Sequence, residues 1–290
     1  VIKIKKGLDI NLKGKASDVL LNGGKSESYA IVPDYYNGIL PKVVAKVGEK
    51  VKAGSVLMID KNRPEIKFVS PVSGEVTAVN RGEKRKVLSI VVKPDAQIEY
   101  EEFGKKNVAS LQGAEVKEVL LNAGMWPFIK QRPYDIVAAP LDTPRDIFVS
   151  AFYSAPLAPN FDFIVKGQEA DFQTGLNALA KLTNGKVYVG VRSGSVVSGM
   201  KGVEIVEVEG PHPAANVGVQ INHIKPVNKG EVVWTVNPAD VIVIGRLFNK
   251  GVADFSRMVA ITGSGRPPRP LAAGLYRPAR QGRGLRSKKV

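Results

Sequence analysis

The sequence of 290 residues contains no cysteine and only two histidines, His212 and His223. The absence of cysteine excludes disulfides, thiolate zinc sites, cysteine-ligated iron–sulfur clusters and a cysteine nucleophile. Two histidines are also too few for a metal site built from several imidazoles. Any chemistry of this chain must therefore use oxygen, amine, guanidinium and aromatic groups.

Long apolar runs are absent as well. No stretch of 18 or more apolar residues occurs, so no transmembrane helix is predicted. Residues 1–7 carry basic side chains without an apolar segment, which excludes a secretory signal. We therefore expect a cytoplasmic protein, and its 44% apolar and 24% charged residues are typical of a globular chain with a packed core.

The net charge of +15 is unevenly distributed along the chain. Residues 265–290 hold eight lysines and arginines and no acid, so the other 34 basic residues face 27 acidic ones, a net charge of +7. From about Gly263 the sequence is rich in Arg, Gly and Pro and has no periodicity. We interpret residues 263–290 as a disordered or non-native tail. A nucleic-acid-binding arm is the less favoured alternative, and no nucleic-acid partner is expected.

Residues 1–103 have the pattern of a β domain. Short β-branched runs bounded by turn residues occur at 29–32, 42–47, 55–59, 74–79 and 86–92. Short strands at such spacing predict a barrel or a sandwich.

The segment 48–61, followed by 70–76, resembles the barrel-sandwich fold of lipoyl and biotinyl domains. Its glycines permit the tight turns between short strands. Such domains carry their cofactor on a lysine of the exposed hairpin, and the corresponding position here is Arg63. Lys61 is out of register, and Lys67 lies too close to the following strand. Because arginine cannot form that amide, we expect no covalent lipoyl or biotinyl group.

Residues 104–262 alternate between helical and extended patterns, which predicts a Rossmann-like α/β domain with a partly parallel sheet. Helices are predicted at 107–125 and 169–182, and strands at 135–139, 146–150, 186–191 and 203–207. The continuous apolar run 241–244 is interpreted as a buried strand. The fold class is therefore α+β or α/β, with a barrel-sandwich hybrid domain preceding an α/β domain.

Nucleotide-binding motifs are missing. Neither G-x-G-x-x-G nor G-x-x-x-x-G-K-[ST] occurs. Residues 194–202 come nearest and are interpreted as a loop rather than a phosphate site. Residues 124–127 have bulky side chains that would block close backbone approach to a phosphate, so tight FMN binding is not expected. We predict no cofactor bound by this chain.

No G-x-S-x-G elbow is present, so a serine hydrolase is not favoured. His212 lies between Pro211 and Pro213, in a rigid turn that suits a structural or interface histidine or a ligand contact. His223 alternates with apolar residues and is predicted on the polar face of a strand.

Several segments, in order along the chain, resemble the A subunits of Na⁺-translocating NADH:quinone oxidoreductases and, more distantly, the C subunits of Rnf complexes. The segments are 2–9, 60–61 with 69–74, 80–85, 124–133, 185–189 and 210–214. The resemblance runs from residue 2 to about residue 262. That family continues into a further β-grasp domain, whereas here the resemblance stops near residues 260–263.

The resemblance implies a peripheral subunit on the cytoplasmic face of the bacterial inner membrane, docked on the other subunits and chiefly on the quinone-binding membrane subunit. The complex reduces ubiquinone with NADH and exports Na⁺. Its NAD, FAD or FMN, and iron–sulfur sites belong to other subunits, and contact with quinone is possible for this one. The alternatives are a stand-alone NADH- or flavin-binding oxidoreductase and a basic nucleic-acid-binding module.

No catalytic or metal-binding residue is predicted. The candidate quinone or partner contacts are Trp126, Phe128, Lys130, Arg132 and His212. The first four follow a predicted helix end, in a segment stiffened by Pro127 and Pro133. Aromatic residues and arginine dominate interface energetics. The alternative for this cluster is that it caps the hydrophobic core.

Overall fold

The computed structural model describes residues 1–11, 18–20 and 26–260. Its secondary structure forms a β unit, residues 29–94, and an α/β unit, residues 113–250 together with strand β1 (Ile2–Lys3). The predicted tail 263–290 lies outside the described residues.

The β unit consists of two small antiparallel sheets. Its strands are β2 (Tyr29–Ile31), β3 (Pro41–Val43), β4 (Lys50–Val51), β5 (Val56–Asp60), β6 (Lys67–Val69), β7 (Gly74–Arg81) and β8 (Val87–Pro94). One sheet has the order β2-β8-β7-β4 and the other β3-β5-β6. Leu57, Phe68, Val76 and Ile90 fill the space between the sheets and are buried. The prediction of a barrel-sandwich hybrid is confirmed.

The α/β unit alternates strands and helices, as predicted. Its elements are α1 (Gly113–Asn122), β9 (Ile129–Arg132), β10 (Ile136–Val137), β11 (Ile147–Ser150), α2 (Phe161–Val165), α3 (Glu169–Ala180), β12 (Val187–Val191), β13 (Glu204–Glu209), α4 (Val217–Ile224), β14 (Val233–Val236) and α5 (Pro238–Lys250). The sheet has the order β1-β13-β12-β11-β14-β9-β10. Strands β1, β13, β12, β11 and β14 are parallel, and β9 runs against β14.

The strand order reverses direction at β11. The chain proceeds from β11 to β12 and β13 on one side and then returns to β14 on the other side. In open α/β sheets, ligands bind beyond the carboxyl ends of the strands at such a switch point. The crevice between the ends of β11 and β14 is therefore the favoured binding position of this fold.

The prediction of a buried strand at 241–244 is wrong, because these residues belong to helix α5. Asn237 caps the helix by accepting a hydrogen bond from the Ala239 amide (3.0 Å), and Gly251 ends it in the left-handed region (φ 78°). The helix packs closely along α3 and is buried for most of its length. A helix buried on all sides has the same continuous apolar run as a buried strand, so periodicity alone does not separate the two.

Two further positions differ from the expectation. His223 lies on helix α4 instead of a strand, where its exposed ring contacts the Val219 carbonyl oxygen (Nδ1 to O, 2.9 Å). Strand β1 pairs with β13 of the α/β unit, although residues 1–103 are predicted as one β domain. The period of apolar residues in the short helix α4 is too brief to distinguish a helix from a strand. The pairing of β1 with a strand about 200 residues away leaves no local signal in the sequence.

The two units share a continuous hydrophobic core and meet at close range. Gly124 (φ 67°) lies so near Val69 that an added Cβ would stand 2.5 Å from a valine methyl carbon. Gly38 (φ 79°) approaches Ile136 in the same way, at 2.7 Å. These glycines allow both the left-handed backbone and the tight contact between the units.

Candidate functional site

A groove lined by aromatic rings lies where the units meet. Tyr36, Phe68, Phe128 and Phe255 define this aromatic groove, which holds about 410 Å³ of space including its opening to solvent. Its other lining residues are Ala30, Ile31, Val69, Pro71, Gly124 and Pro127. Tyr36 and Phe68 meet edge to face with ring centroids 4.6 Å apart, and Phe128 meets Phe255 at 6.1 Å. The lining of the groove is mainly apolar, and its four rings are largely buried.

The chain after helix α1 places Phe128 in the groove. Gly124 turns the backbone at positive φ. Trp126–Phe128 then form a short 3-10 helix with Pro127 in its first turn. Trp126 is completely buried, donates from Nε1 to the Ala138 carbonyl (2.8 Å) and packs edge to face on Trp234 at 5.4 Å. Trp126 therefore supports the core behind the groove and has no exposed surface for a ligand.

Lys130 does not line the aromatic groove itself but lies beside Tyr36, which does. Its Nζ lies 5.3 Å above the centroid of the Tyr36 ring, a cation–π distance. Burial lowers the pKa of Lys130, and the carboxylates of Asp135 and Asp240 oppose that shift. The half-buried amine can donate hydrogen bonds to an oxygen atom of a group in the groove.

A second cation, Arg257, borders Phe128. Its guanidinium lies 5.8 Å from the Phe128 ring centroid, and its Nη2 contacts Asp240 Oδ1 at 2.7 Å. Burial raises the pKa of Asp240, and Arg257 and Lys130 offset part of the increase. Arg257 and Lys130 thus both act on Asp240, and Asp135 is a second carboxylate near Lys130.

This cluster lies beside the switch point. Asp240 belongs to the first turn of α5, immediately after β14, and Tyr153 follows β11. The Tyr153 hydroxyl contacts Asn237 Oδ1 at 3.4 Å, so it bridges the carboxyl ends of the two strands. Burial raises the pKa of Tyr153, with a further contribution from the charge of Asp240. Tyr153 is therefore neutral at physiological pH, and its hydroxyl donates to Asn237 Oδ1.

Arg132 lies two residues beyond Lys130 but at the other end of β9. It pairs with Val233 at the start of β14 and forms an ion pair with Asp135 (3.4 Å). Arg132 therefore faces the amino edge of the sheet, beside the highly exposed Tyr134. Its side chain is about 30% exposed, and it does not line the groove.

His212 follows β13 at the carboxyl edge of the sheet. Its Nδ1 lies 3.0 Å from Ser154 Oγ, and its backbone amide donates to Asp9 Oδ1 (2.9 Å). Ser154 Oγ also accepts a hydrogen bond from the Ala215 amide (3.0 Å). The carboxylate thus contacts the histidine backbone instead of orienting its ring, which is not the arrangement of a Ser-His-Asp triad. His212 fastens the turn to the neighbouring loop.

The predicted site residues do not form a single site. Four strand spacings separate β13, which precedes His212, from β9, which carries Lys130, or roughly 19 Å at about 4.8 Å per strand. Phe128 and Lys130 come together at the groove, whereas Arg132 and His212 lie elsewhere on the α/β unit.

The glycine-rich segment 194–202 forms a turn with a short 3-10 helix, Val196–Gly199, in keeping with its interpretation as a loop. The carboxylate of Asp162 accepts hydrogen bonds there from Ser195 Oγ (2.6 Å) and from the Val196 amide (3.3 Å). An acidic side chain thus occupies the donors that a phosphate would need.

Sequence reasoning missed Tyr36, Asp240, Phe255 and Arg257. Tyr36 is distant in sequence from the other groove residues, so only the packing of the two units brings it there. A signal for Asp240 exists in the series Asn237-Pro238-Ala239-Asp240, which is typical of a helix N-terminus. That signal also identifies the start of helix α5.

Across the part of the chain that the structure describes, no three histidine, aspartate or glutamate side chains form a metal-binding group. Within the same residues, no helix has the length and apolar character needed to cross a bilayer.

Comparison with protein families agrees with this two-unit architecture. The sequence matches the model of the NqrA N-terminal barrel-sandwich hybrid domain over residues 2–95. It matches the model of the NqrA second alpha/beta domain over residues 111–253. The chain belongs to the NqrA family. The predicted resemblance and the predicted order of the two folds are therefore confirmed.

Individual NqrA relatives are similar over nearly the whole chain. The A subunit of the Na(+)-translocating NADH-quinone reductase of Hahella chejuensis is 39% identical over 268 residues, which cover 91% of this chain and 60% of the relative. The proteins of the same name from Photorhabdus laumondii and Neisseria meningitidis are each 37% identical, with the same coverage. This chain thus spans about 60% of the length of the curated relatives it matches.

Proposed function

We propose that this chain acts as an accessory NqrA component of a Na⁺-translocating NADH:ubiquinone reductase and binds no redox cofactor of its own. The observation that carries the proposal is the similarity of both units, in order, to relatives that bear this name. In this proposal, NAD, FAD or FMN, and iron–sulfur centres act in other subunits of the complex. The chain lies on the cytoplasmic face of the bacterial inner membrane and works through its contacts.

The aromatic groove is proposed as a contact for the quinone head group. A quinone ring is flat and apolar and has carbonyl oxygens at its edge. Tyr36 and Phe128 offer ring faces for packing, and Lys130 supplies a hydrogen-bond donor beside Tyr36. Stacking against aromatic rings with one polar group to fix orientation is the general pattern of small-molecule sites.

The outer surface around Arg132 is proposed as a docking site for another component of the complex, chiefly the quinone-binding membrane subunit. Tyr134 and Leu141, which follow Arg132 in the chain, are 80% and 94% exposed. Exposed large apolar residues next to an arginine are typical of an interface that is covered in an assembly. His212 is proposed as a separate contact at the other edge of the sheet.

A quinone-binding experiment tests the groove. A water-soluble, short-chain ubiquinone is titrated into the purified chain, and binding is followed by NMR shifts of Lys130 and of the aromatic residues. We expect Lys130→Met to weaken binding by roughly tenfold, since one hydrogen bond to a charged donor is lost. Lys50→Met, on an exposed strand of the β unit, is the matched control and should bind like wild type. Equal binding by both variants would exclude Lys130 as a contact.

A capture experiment tests docking. The chain, with and without residues 264–290, is incubated with detergent-solubilised membranes that contain the other subunits. We expect both forms to retain those subunits, and Tyr134→Ala with Leu141→Ala to reduce the retention. Failure of both forms would contradict docking through the described units. A purified chain with flavin absorbance would favour the stand-alone oxidoreductase instead.

A further inference from the structure

The hairpin that carries the cofactor lysine in lipoyl domains has an arginine in this chain, and that arginine joins the two units. Arg63 lies in the hairpin between β5 and β6 and is mostly buried. Its Nε donates to Asp60 Oδ2 (2.8 Å), Nη1 to the Val137 carbonyl (3.2 Å) and Nη2 to the Gly38 carbonyl (2.9 Å). Val137 belongs to β10 of the α/β unit, so one side chain connects three segments.

The anchor of this side chain is rigid. Asp60 is fully buried, and its Oδ1 accepts hydrogen bonds from the amides of Leu40 (3.0 Å) and Asn62 (3.2 Å). The carboxylate therefore fixes both the arginine and the base of its own hairpin. Arginine suits this position because its planar fork directs several donors at once, which lysine cannot do.

The segments that Arg63 fastens lie next to Tyr36 of the aromatic groove and to Lys130 beside it. Gly38 lies two residues after Tyr36, and Val137 pairs with Lys130 across β9 and β10. The Val137 amide also donates to the Asn37 carbonyl (2.9 Å), directly between the two units. Lys130 Nζ contacts the Tyr36 ring. The Arg63 guanidinium thus joins the two backbone segments next to the residues that make this contact.

We infer that Arg63 is a positioning residue, which locks the hairpin of the β unit to strand β10 and thereby sets the distance between Tyr36 and Lys130 across the aromatic groove. The effect on quinone contact rests on the proposed function, whereas the lock itself does not depend on any ligand. In this chain the hairpin has become part of a fixed joint instead of a mobile carrier.

Arg63→Gln in the complete chain tests the lock without any quinone. Hydrogen exchange of the Val137 amide reports opening between the units, and we expect it to accelerate by roughly tenfold when the charge-assisted bonds are lost. The NMR titration of Lys130, assigned with Lys130→Arg, reports the groove itself. Its titration should move upward, because burial lowers the pKa of Lys130 and the released segments admit water.

Two further variants make the result specific. Arg81→Gln removes an arginine near the end of β7, where its exposed side chain donates to the Arg85 carbonyl of the same hairpin (3.1 Å). This variant should change neither the exchange of the Val137 amide nor the titration of Lys130. Arg63→Lys keeps the positive charge but not the planar set of donors. Its Val137 exchange rate and its Lys130 titration should both lie between those of wild type and Arg63→Gln. If Arg63→Gln does not fold, as far-ultraviolet circular dichroism would reveal, Arg63→Lys against wild type decides the question.

The inference is overturned if a folded Arg63 variant matches Arg81→Gln in both exchange and titration. A change in Val137 exchange alone would also overturn it, because the arginine would then stabilise the joint without positioning the groove. Short-chain ubiquinone binding is measured afterwards on the same variants. A shifted Lys130 titration without quinone binding to wild type would leave the lock standing and refute the proposed function.

Discussion

At the scale of single residues, Asp146 organises the amino edge of the large sheet. Its buried carboxylate accepts hydrogen bonds from Arg145 Nε (2.8 Å) and from the Lys186 amide (3.1 Å), and it pairs with Lys225 Nζ (2.9 Å). Its carbonyl oxygen accepts from the Trp234 amide (3.1 Å). One residue thus joins the starts of β11, β12 and β14 to the end of α4.

Asp146→Asn should destabilise the chain by about 1.5–3 kcal/mol, because the buried carboxylate loses its charge-assisted hydrogen bonds with Arg145 and Lys225. Burial by itself would raise the pKa of Asp146, but hydrogen bonds from Lys225, the Lys186 amide and Arg145 outweigh it, and the pKa is lowered. A depressed folded-state pKa contributes stability above the unfolded value of about 3.9, which is lost as pH falls through the folded-state pKa. The loss in the variant should therefore be largest near neutral pH and shrink in acid.

Urea unfolding of wild type and Asp146→Asn at several pH values measures this difference. Asp34→Asn is the control, since its ion pair with Lys86 is exposed and should contribute less than about 1 kcal/mol. A pH-independent difference between wild type and Asp146→Asn would refute the role of the charge.

The residue scale is also where prediction from sequence succeeds least. Phe128 and Lys130 are predicted from a motif and lie at the groove, but Tyr36 and Arg257 reach it from distant parts of the chain. Trp126 is predicted from the same motif and supports the core instead. A motif identifies residue types that can form a site, whereas packing of the units determines which of them are accessible.

At the scale of elements, the turn after helix α1 depends on Gly124. Gly124→Ala places a side chain at positive φ and brings its Cβ within 2.5 Å of a Val69 methyl carbon. We expect a loss of about 2–4 kcal/mol, from roughly 1 kcal/mol of backbone strain and the rest from the clash. Chemical denaturation measures the free energy of unfolding.

Gly104→Ala provides the matched comparison. Gly104 has a similar φ of 76°, but an added Cβ would meet nothing within 4 Å. Its loss should therefore be the strain alone, roughly 1 kcal/mol. Equal losses in the two variants would mean that Val69 gives way and that the two units are not tightly fitted at this point.

Element types are mostly predictable, because periodicity and turn residues are local signals. Strand β11 and helix α3 are predicted within a few residues of their bounds. The error at 241–244 arises because a run of four apolar residues is too short to show a helical period, while the helix cap remains visible at Asn237. For a continuous apolar run, a helix-capping residue before the run is therefore the better guide to whether it forms a helix or a strand.

At the scale of the whole molecule, β1 adds the first residues of the chain to the sheet of the α/β unit. Ile4 donates its amide to the Glu209 carbonyl (2.9 Å) and packs in a small buried cluster with Phe152, Val208 and Ala214. Ile4→Ala should cost about 2 kcal/mol, since a buried isoleucine is truncated. Hydrogen exchange should accelerate at Val208 in β13 and remain unchanged in β7 and β8.

Ile10→Ala is the control for this prediction, because Ile10 is 59% exposed and surface changes usually remain within about 0.5 kcal/mol. Faster exchange in the β unit of Ile4→Ala would show that β1 stabilises the molecule generally and not the edge of one sheet.

Sequence patterns predict the order of the two units, because each unit has its own period of apolar residues. They do not predict that β1 crosses from the first unit to the second, since a two-residue strand has no period to detect. The limits 103 and 104 between the domains stay predictions, because residues 95–103 bridge both units, with Tyr100 paired to Ala53 and Glu102 to Val252.

The pairing of β1 with β13 has a consequence for synthesis on the ribosome. The β unit is complete once residue 94 has left the exit tunnel, whereas Ile2 has no partner until Val208 emerges. At about 5–20 residues per second, that interval lasts on the order of ten seconds. During that time the nascent chain exposes a short strand that is not yet paired with β13, and a chaperone or a neighbouring nascent chain can bind this strand.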